Sequence, residues 1–382
     1  MRQQVIEQFR TTFGTDPELL VRAPGRANLI GSHTDYNDGF TLPLAINRAI
    51  WIALKPRHDD VVRVFSMDFG YEMVTFSSKA VERDADGFPE WVKHVRGIWW
   101  LLGQQGIDVP SADLVIGSNI PMGAGVSSSA AIGVAVVEMA LALASEHRSQ
   151  SEKALLAVKI EHEFLGVPVG VLDQIASAAA IPNAAMLLDC RTLETTPVKI
   201  PSDVAVVVID TKKVRQLADS GYAERRAQCE AVAAALGVKA LRDADMVLLD
   251  ANKDKFDDVH YRRARHIITE NARVLAMKAA LESHDLDNAG ELLNQTQSSI
   301  ENDYEISVPD VDTLCQISRE HDACYGVRLM GGGFGGSVVG LVKSDQVDAF
   351  AEHLIPRYAA STGLAAEVYV CQPAAGSGVE VL

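Results

Sequence analysis

The amino-acid sequence predicts an α+β fold in two domains, on three observations. At 382 residues the chain is longer than one ordinary hydrophobic core supports. Strand-like runs crowd its first part and return at its end, with a mostly helical stretch between. Strands and helices do not alternate in regular βαβ units, which argues against a doubly wound sheet. The division is expected near "DCRTLETTP", Asp189–Pro197, where polar and turn residues interrupt two apolar runs. This gives an N-terminal domain of residues 1–192 and a C-terminal domain of residues 193–382.

Taken in order, "LLVRAPG", "AIWIALKP", "VVRVFSM", "YEMVTFS" and "ADLVIGS" read as strands. Apolar residues at three-to-four spacing predict helices over Ser127–Ser145 and Ser151–Leu165, and a shorter one over Asp173–Ala180. "AAMLLDC" and "VAVVVID" read as buried strands. Helices follow over Glu224–Leu236, Arg262–Leu281, Leu286–Ile300 and Pro309–Glu320; Pro309 suits the first turn of its helix. "YGVRLM" and "SVVGLV" flank a glycine-rich turn, a helix runs near Asp345–Tyr358, and "AAEVYVC" is a last strand. The C-terminal strand is free to pack back onto the first domain. No internal repeat is present.

The net charge of −16 argues against nucleic acid or an anionic membrane as the main partner, since both would be repelled. A small anionic ligand feels the local field and is not excluded. The longest apolar run, Ala130–Ala144, is broken by Glu138 and is too short to span a bilayer. "MRQQVIEQFR" lacks the apolar core of a signal peptide. Five scattered cysteines without a CxxC read as ordinary thiols of a reducing compartment. The expectation is a cytoplasmic monomer.

Three segments carry chemistry. "GRANLIGSHTDYNDGF", Gly25–Phe40, is crowded with groups suited to a polar ligand: Arg26, Asn28, His33, Thr34, Asp35, Tyr36 and Asn37. Ser32 sits among them as a short neutral hydroxyl where a charge is expected. In "NIPMGAGVSSSAAIGV", Pro121, Gly123 and Gly125 make a turn, three serines follow, and a long apolar helix begins. Unpaired backbone N–H groups and the positive end of the helix dipole suit a phosphate there, and the small residues let it approach. A core helix capped by serine after a turn explains the same pattern equally well. A hydroxyl beside bound phosphates also suits Mg²⁺, which wants oxygen ligands. No GxxxxGK[ST] is present, so this is not a P-loop. In "RLMGGGFGGS", Gly331, Gly333 and Gly336 form a formal GxGxxG, but a strand follows rather than the helix a dinucleotide fingerprint needs. Five glycines in six positions suggest a backbone that comes close to a ligand or a neighbouring loop. Two acidic residues lie between these segments. Glu161, on a helix that Gly166 and Pro168 end, reads as a solvated helix face, and Asp173, opening the next helix, reads as an N-cap.

Together, Arg26–Phe40, Gly123–Ala130 and Gly331–Gly336 resemble the three signature motifs of the GHMP kinases, and "GRANLIGSHTDYNDGFTLP" resembles the galactokinase signature in particular. The likeness extends to "LLDCRTLE", "YAERRAQCE", "RRARHIITENARV", "YEISVPDVDTL" and "VYVCQP", and so covers nearly the whole chain. The resemblance implies two α+β domains with the active site in the cleft between them, and transfer of the ATP γ-phosphoryl group to the anomeric hydroxyl of galactose. It implies Asp173 as the catalytic proton acceptor and Arg26 as the stabiliser of developing charge. Ser128 and Glu161 match the Mg²⁺ ligands. His33, Asp35, Gly170 and Tyr222 match sugar-binding positions, with Ser32 beside them. The loop Gly123, Ala124, Gly125, Val126, Ser127, Ser128 and Ser129 matches the phosphate loop, with Gly332 and Gly333 of the third motif alongside. Trp91 resembles a tryptophan near the nucleotide, and a partly buried helix aromatic explains it as well.

The sequence departs from the family pattern at three positions. Ser32 stands where a glutamate that binds the sugar's C6 hydroxyl is usual, Met330 where a threonine precedes the third loop, and Gly133 where a glutamate is common. The serine is compatible with galactose, held directly or through water. It is also compatible with a C6-oxidised sugar such as galacturonate, or with a relaxed pocket. A non-catalytic sensor of galactose and ATP ranks below these, because Asp173, Arg26, Ser129 and Ala130 are all present.

Overall fold

Continuous apolar runs become interior strands and alternating runs become outer ones. The computed structural model describes residues 1–68, 70, 72–83, 87–214 and 218–382. The first half contains helix α1 (Arg2–Phe13), strands β1 (Leu19–Asn28), β2 (Phe40–Thr41), β3 (Pro43–Pro56), β4 (Val61–Ser66) and β5 (Met73–Ser77), helix α2 (Lys93–Gln104), strand β6 (Ala112–Ser118), and helices α3 (Ser128–Leu143), α4 (Gln150–Lys159) and α5 (Leu172–Ala179). Tyr71, the first residue of the run predicted as the fourth strand, lies outside the described residues. Strands β7 (Ala184–Asp189) and β8 (Thr195–Lys199) form a hairpin, and β9 (Val204–Lys213) begins the second half. Helices α6 (Ala218–Leu236), α7 (Met246–Ala251), α8 (Asp258–Glu282), α9 (Leu286–Ser299) and α10 (Pro309–Arg319) follow. Then come β10 (Cys324–Met330), β11 (Gly336–Lys343), α11 (Val347–Thr362), β12 (Glu367–Cys371) and β13 (Gly378–Val381).

The strands form three sheets. The first has the order β13-β1-β3-β6-β4-β5, the second β10-β11-β9-β12 and the third β2-β7-β8. Buried β6 lies inside the first sheet, while β5, alternating exposed and buried residues, lies at its edge. Val5, Ile6 and Phe9 of α1 pack with Leu20, Ala53 and Val115. α3 and α5 pack on β1 and β3. In the second half, α9 and α10 pack on β10. The larger core cluster runs from Val21 and Ile52 through Val134 to Val274, Met277 and Met330, so apolar packing is continuous between the halves. All five thiols are free, and four of them are buried.

Two details differ from the pattern in the sequence. Glu367–Cys371 stays in the second sheet, paired with β9. It is the following β13 that returns to the first sheet, with Leu19 opposite Val381 and Arg22 opposite Gly378. Its exposed "GVEV" buries no apolar face, so periodicity does not reveal it. The helix predicted over Ser151–Leu165 is α4 followed by a π-helical turn, Ile160–Leu165, closed by Gly166 in the left-handed region at φ 75. That turn carries Glu161, and such π turns gather at functional sites. Among the described residues no helix is long and apolar enough to cross a membrane.

Candidate active site

Strand β1 shifts register between Pro24 and Arg26. At this irregularity the loop before α3 sits directly on the strand: the Arg26 N–H donates to the Val126 carbonyl at 3.0 Å. A Cβ at Gly25 would lie 2.6 Å from that same oxygen, so only glycine fits there. The Arg26 guanidinium is buried. Its Nε and Nη2 donate to both oxygens of Asp173, at 2.7 and 2.8 Å, and Nη1 donates to the Gly125 carbonyl at 2.8 Å. Asp173 lies in the first turn of α5, but Val171 is the N-cap and makes no side-chain cap bond. The N-cap reading of Asp173 is therefore replaced: its carboxylate faces Arg26 and accepts from the Ser127 hydroxyl. Ser127 holds the N-cap position of α3 at φ 58, yet its hydroxyl serves Asp173 instead of the helix backbone.

Glu161 is buried, not the solvated helix face that the sequence suggests. Gln174 Nε2 donates to it at 3.0 Å, and Ser129 bonds to it as well. Burial, and secondarily the charge of Asp173, pushes its carboxyl up to about 7. The serine beside Glu161 is thus Ser129, which also meets His94 Nε2 at 3.3 Å. Of the two adjacent serines, Ser129 lines the cavity and Ser128 does not, because successive residues at a helix start point about 100° apart.

The sugar-signature segment forms the other wall. A Cβ at Gly170 would fall 1.7 Å from Oδ2 of Asp35. Burial and the nearby Asp173 raise the Asp35 carboxyl to about 6. His33 is held neutral, its pKa lowered to about 3 by burial and then by His266, Arg225 and Arg328. Its Nδ1 meets the Tyr36 hydroxyl at 2.8 Å, which meets the Tyr304 hydroxyl at 2.7 Å. The Tyr222 ring lies 5.3 Å from that of His33. Ser32 is buried, and its Oγ meets no hydrogen-bond partner among the described residues; neither does Oδ1 of Asn28.

These groups line one cavity of about 590 Å³. Arg26, Asp173, Glu161 and Ser129 line it together with Ser32, His33, Asp35, Gly170 and Tyr222. Gly331 and Gly332 reach the cavity; Gly333 does not, because its backbone packs on Ile306, 2.7 Å from where a Cβ would be. The glycine turn thus approaches both a cavity and a neighbouring loop. In the loop before α3, Gly123 and Gly125 adopt positive φ, while Ala124 and Val126 are buried as anchors. Trp91 is half-buried against the larger core cluster and is not a cavity wall. Met330 is buried with its sulfur 3.4 Å from the Asn28 N–H, a packing role, and Gly133 faces Ala157 and His94.

Sequence reasoning misses Glu270, His266 and Arg328. Arg328 is fully buried and donates to the carbonyls of Leu29 and Leu329, at 2.8 and 2.7 Å. The available signals are a cation inside the apolar run "YGVRLM" and a carboxylate on the same stripe as Ile267, Val274 and Met277. Both violate the pattern of their element.

Comparison with known proteins agrees with this geometry. The galactokinase galactose-binding signature matches residues 7–56. The GHMP kinase N-terminal domain matches residues 93–180 and the GHMP kinase C-terminal family residues 277–360. A galactokinase from Roseiflexus sp. (strain RS-1) is 41% identical over 377 residues, covering 97% of this chain and 95% of that protein. The crystal structure of Lactococcus lactis galactokinase complexed with galactose superposes with a TM-score of 0.93 at 31% identity, covering 98% of this chain and 99% of that one. Methanococcus jannaschii mevalonate kinase shares the fold alone, with a TM-score of 0.65 at 16% identity over 93% of this chain and 98% of that one.

Proposed function

The chain belongs to the galactokinase family of the GHMP kinases, and we propose that it runs that family's reaction with Asp173 as proton acceptor and Arg26 as charge stabiliser. It is an ATP-dependent kinase that converts galactose to galactose 1-phosphate. The observation that carries the residue roles is the two-bond Arg26–Asp173 pair, set between the loop before α3 and the sugar-signature wall.

Phosphoryl transfer has a loose transition state, so the protein mainly positions and neutralises. The anomeric oxygen forms its bond to the γ-phosphorus as the bond to the β-phosphate oxygen breaks. The hydroxyl proton passes to Asp173 and ADP leaves. Asp173 need not be a strong base, because that proton is lost late. Arg26 fixes the carboxylate's direction and opposes the negative charge growing on the sugar oxygen. The Gly123–Ser129 loop and the start of α3 would receive the phosphates. His33, Asp35 and Tyr222 would hold the sugar, and Gly170 makes room for Asp35.

The donor set beside the phosphate loop fits Mg²⁺. Glu161 and Ser129 are hard oxygen donors, and the buried Glu161 carboxylate has no cationic partner in the ion pairs of the described residues. We propose Ser129 and Glu161 as its protein ligands. Bound there, Mg²⁺ would neutralise charge on the phosphate oxygens.

The neutral sugar is favoured over galacturonate by Asn28. Its amide nitrogen donates to the Gly31 carbonyl at 3.2 Å, leaving Oδ1 as a buried acceptor that needs a donor. A sugar hydroxyl supplies one, and a carboxylate does not. We further propose a cytoplasmic monomer whose halves divide near the β7–β8 hairpin, at residues 1–192 and 193–382. The free thiols support the compartment.

The test is ADP release with MgATP and either galactose or galacturonate. Galactose should win in kcat/KM by orders of magnitude, and Asp173→Asn should abolish turnover while the protein stays folded. A galacturonate preference would overturn the sugar assignment, and an active Asp173→Asn enzyme would overturn the mechanism.

A further inference from the structure

The loop that carries Ser32 and His33 has an improbable backbone. Gly31 sits at φ 97, and His33, which is not glycine, sits at φ 60. A non-glycine residue keeps such a conformation only where its surroundings hold it. Glu270, on α8, has no exposed surface. Its Oε1 accepts the backbone N–H of both Gly31 and Ser32, each at 2.9 Å. Its Oε2 accepts from Arg273 Nε at 2.8 Å and from the Thr296 hydroxyl at 2.9 Å. Burial alone would favour the neutral acid, but the charges of Arg273 and Arg328 and the backbone N–H of Ser32 outweigh it and keep the carboxylate charged. One turn earlier on α8, His266 Nε2 lies 3.1 Å from the Ser32 carbonyl, so that nitrogen carries the proton and donates. The Ser299 hydroxyl, 2.9 Å from Nδ1, props the ring from behind, and Tyr304 stacks on it with centroids 4.3 Å apart.

We infer that Glu270 and His266 are positioning residues for the sugar, acting through the backbone of residues 31–33 and touching no substrate. Both the N–H and the C=O of Ser32 are spent on α8, so the loop cannot rotate its peptide planes without leaving a buried charge or a buried imidazole unpaired. Neither residue lines the cavity. Their reach ends at the sugar wall: Arg26, Asp173, Glu161 and Ser129 have no hydrogen bond or ion pair to either of them. The role therefore predicts a loss confined to the sugar.

This rests on the galactose-kinase reading of the cleft, so the wild-type protein is assayed with galactose first; no turnover there refutes that reading rather than this one. Given an active wild type, Glu270→Gln should raise KM for galactose about ten-fold or more, as expected for weakening bonds to a charged group, and leave KM for ATP within about two-fold. Adding Arg273→Met to Glu270→Gln rebalances the buried charge while leaving the Gln carbonyl free to face the loop, and should recover most of the galactose KM. If Glu270→Gln does not fold, His266→Gln and His266→Leu replace it: the first keeps a donor for the Ser32 carbonyl and should bind galactose better than the second. Loss of thermal stability with both KM values intact, or galactose and ATP constants rising in proportion, would overturn the inference.

Discussion

The Asp35 carboxylate occupies the space that a side chain at residue 170 would need, with Oδ2 only 1.7 Å from the position of a Cβ. Gly170 is thus fixed by the Asp35 carboxylate packed against it rather than by its own backbone angles. Gly170→Ala should push Asp35 aside and raise KM for galactose about ten-fold or more, the cost of losing a hydrogen bond to a charged group. KM for ATP should hold. Unchanged galactose kinetics would show that Asp35 does not contact the sugar.

Only one of the adjacent serines at the start of α3 faces Glu161. Ser129→Ala should raise the Mg²⁺ concentration for half-maximal rate by roughly ten-fold or more, the range seen when a metal site loses a supporting oxygen. Ser128→Ala should stay near wild type. The reverse ranking would return Ser128 to the metal.

Ser32 offers a test of the proposed sugar site. Its backbone is fixed by α8, so Ser32→Glu changes the side chain without freeing the loop. A new carboxylate acceptor beside Asn28 should lower KM for galactose by about ten-fold and abolish any residual use of galacturonate. ATP affinity should not move. An equal change for sugar and nucleotide would place Ser32 elsewhere in the mechanism.

Three buried imidazoles set an acid limit on stability. Burial lowers His33 to about 3 and His94 and His266 to about 4. Free histidine in the unfolded chain titrates near 6.5. Between pH 6.5 and 4 these three groups bind more protons in the unfolded state and make stability rise with pH, by up to about 1.4 kcal/mol per pH unit each, while the raised Asp35 and Glu161 carboxyls, protonated in the fold, oppose them with two groups against three. The melting temperature at pH 5 should lie clearly below that at pH 7, and His94→Asn should flatten the profile. A His94→Asn profile as steep as that of the wild type would mean that His94 is not held neutral in the fold.

What sequence patterning reveals here, and what it hides, follows from how each residue is satisfied. Strands such as Ala112–Ser118 and Val204–Lys213 are legible because burial on both faces demands continuous apolar residues. Gly123–Ser129 is legible as a loop and helix start because local chemistry determines it. Asp173 is ambiguous because an acidic residue in a first helical turn has a good local explanation, and only Arg26, far away in sequence, displaces it. Glu161 reads as solvated because nothing local reports the π turn that carries it inward. Glu270 and His266 are hidden more deeply. Their partners are the backbone atoms of Gly31 and Ser32, which leave no trace in side-chain patterning.

The pairing of β13 with β1 also bears on synthesis. Leu19 leaves the ribosome long before Val381, its partner across the sheet. Until then one edge of the first sheet presents unpaired N–H and C=O groups, an invitation to neighbouring nascent chains. A product released before β13 is made would therefore carry every residue that lines the cavity together with an open sheet edge, prone to aggregate rather than merely to work slowly.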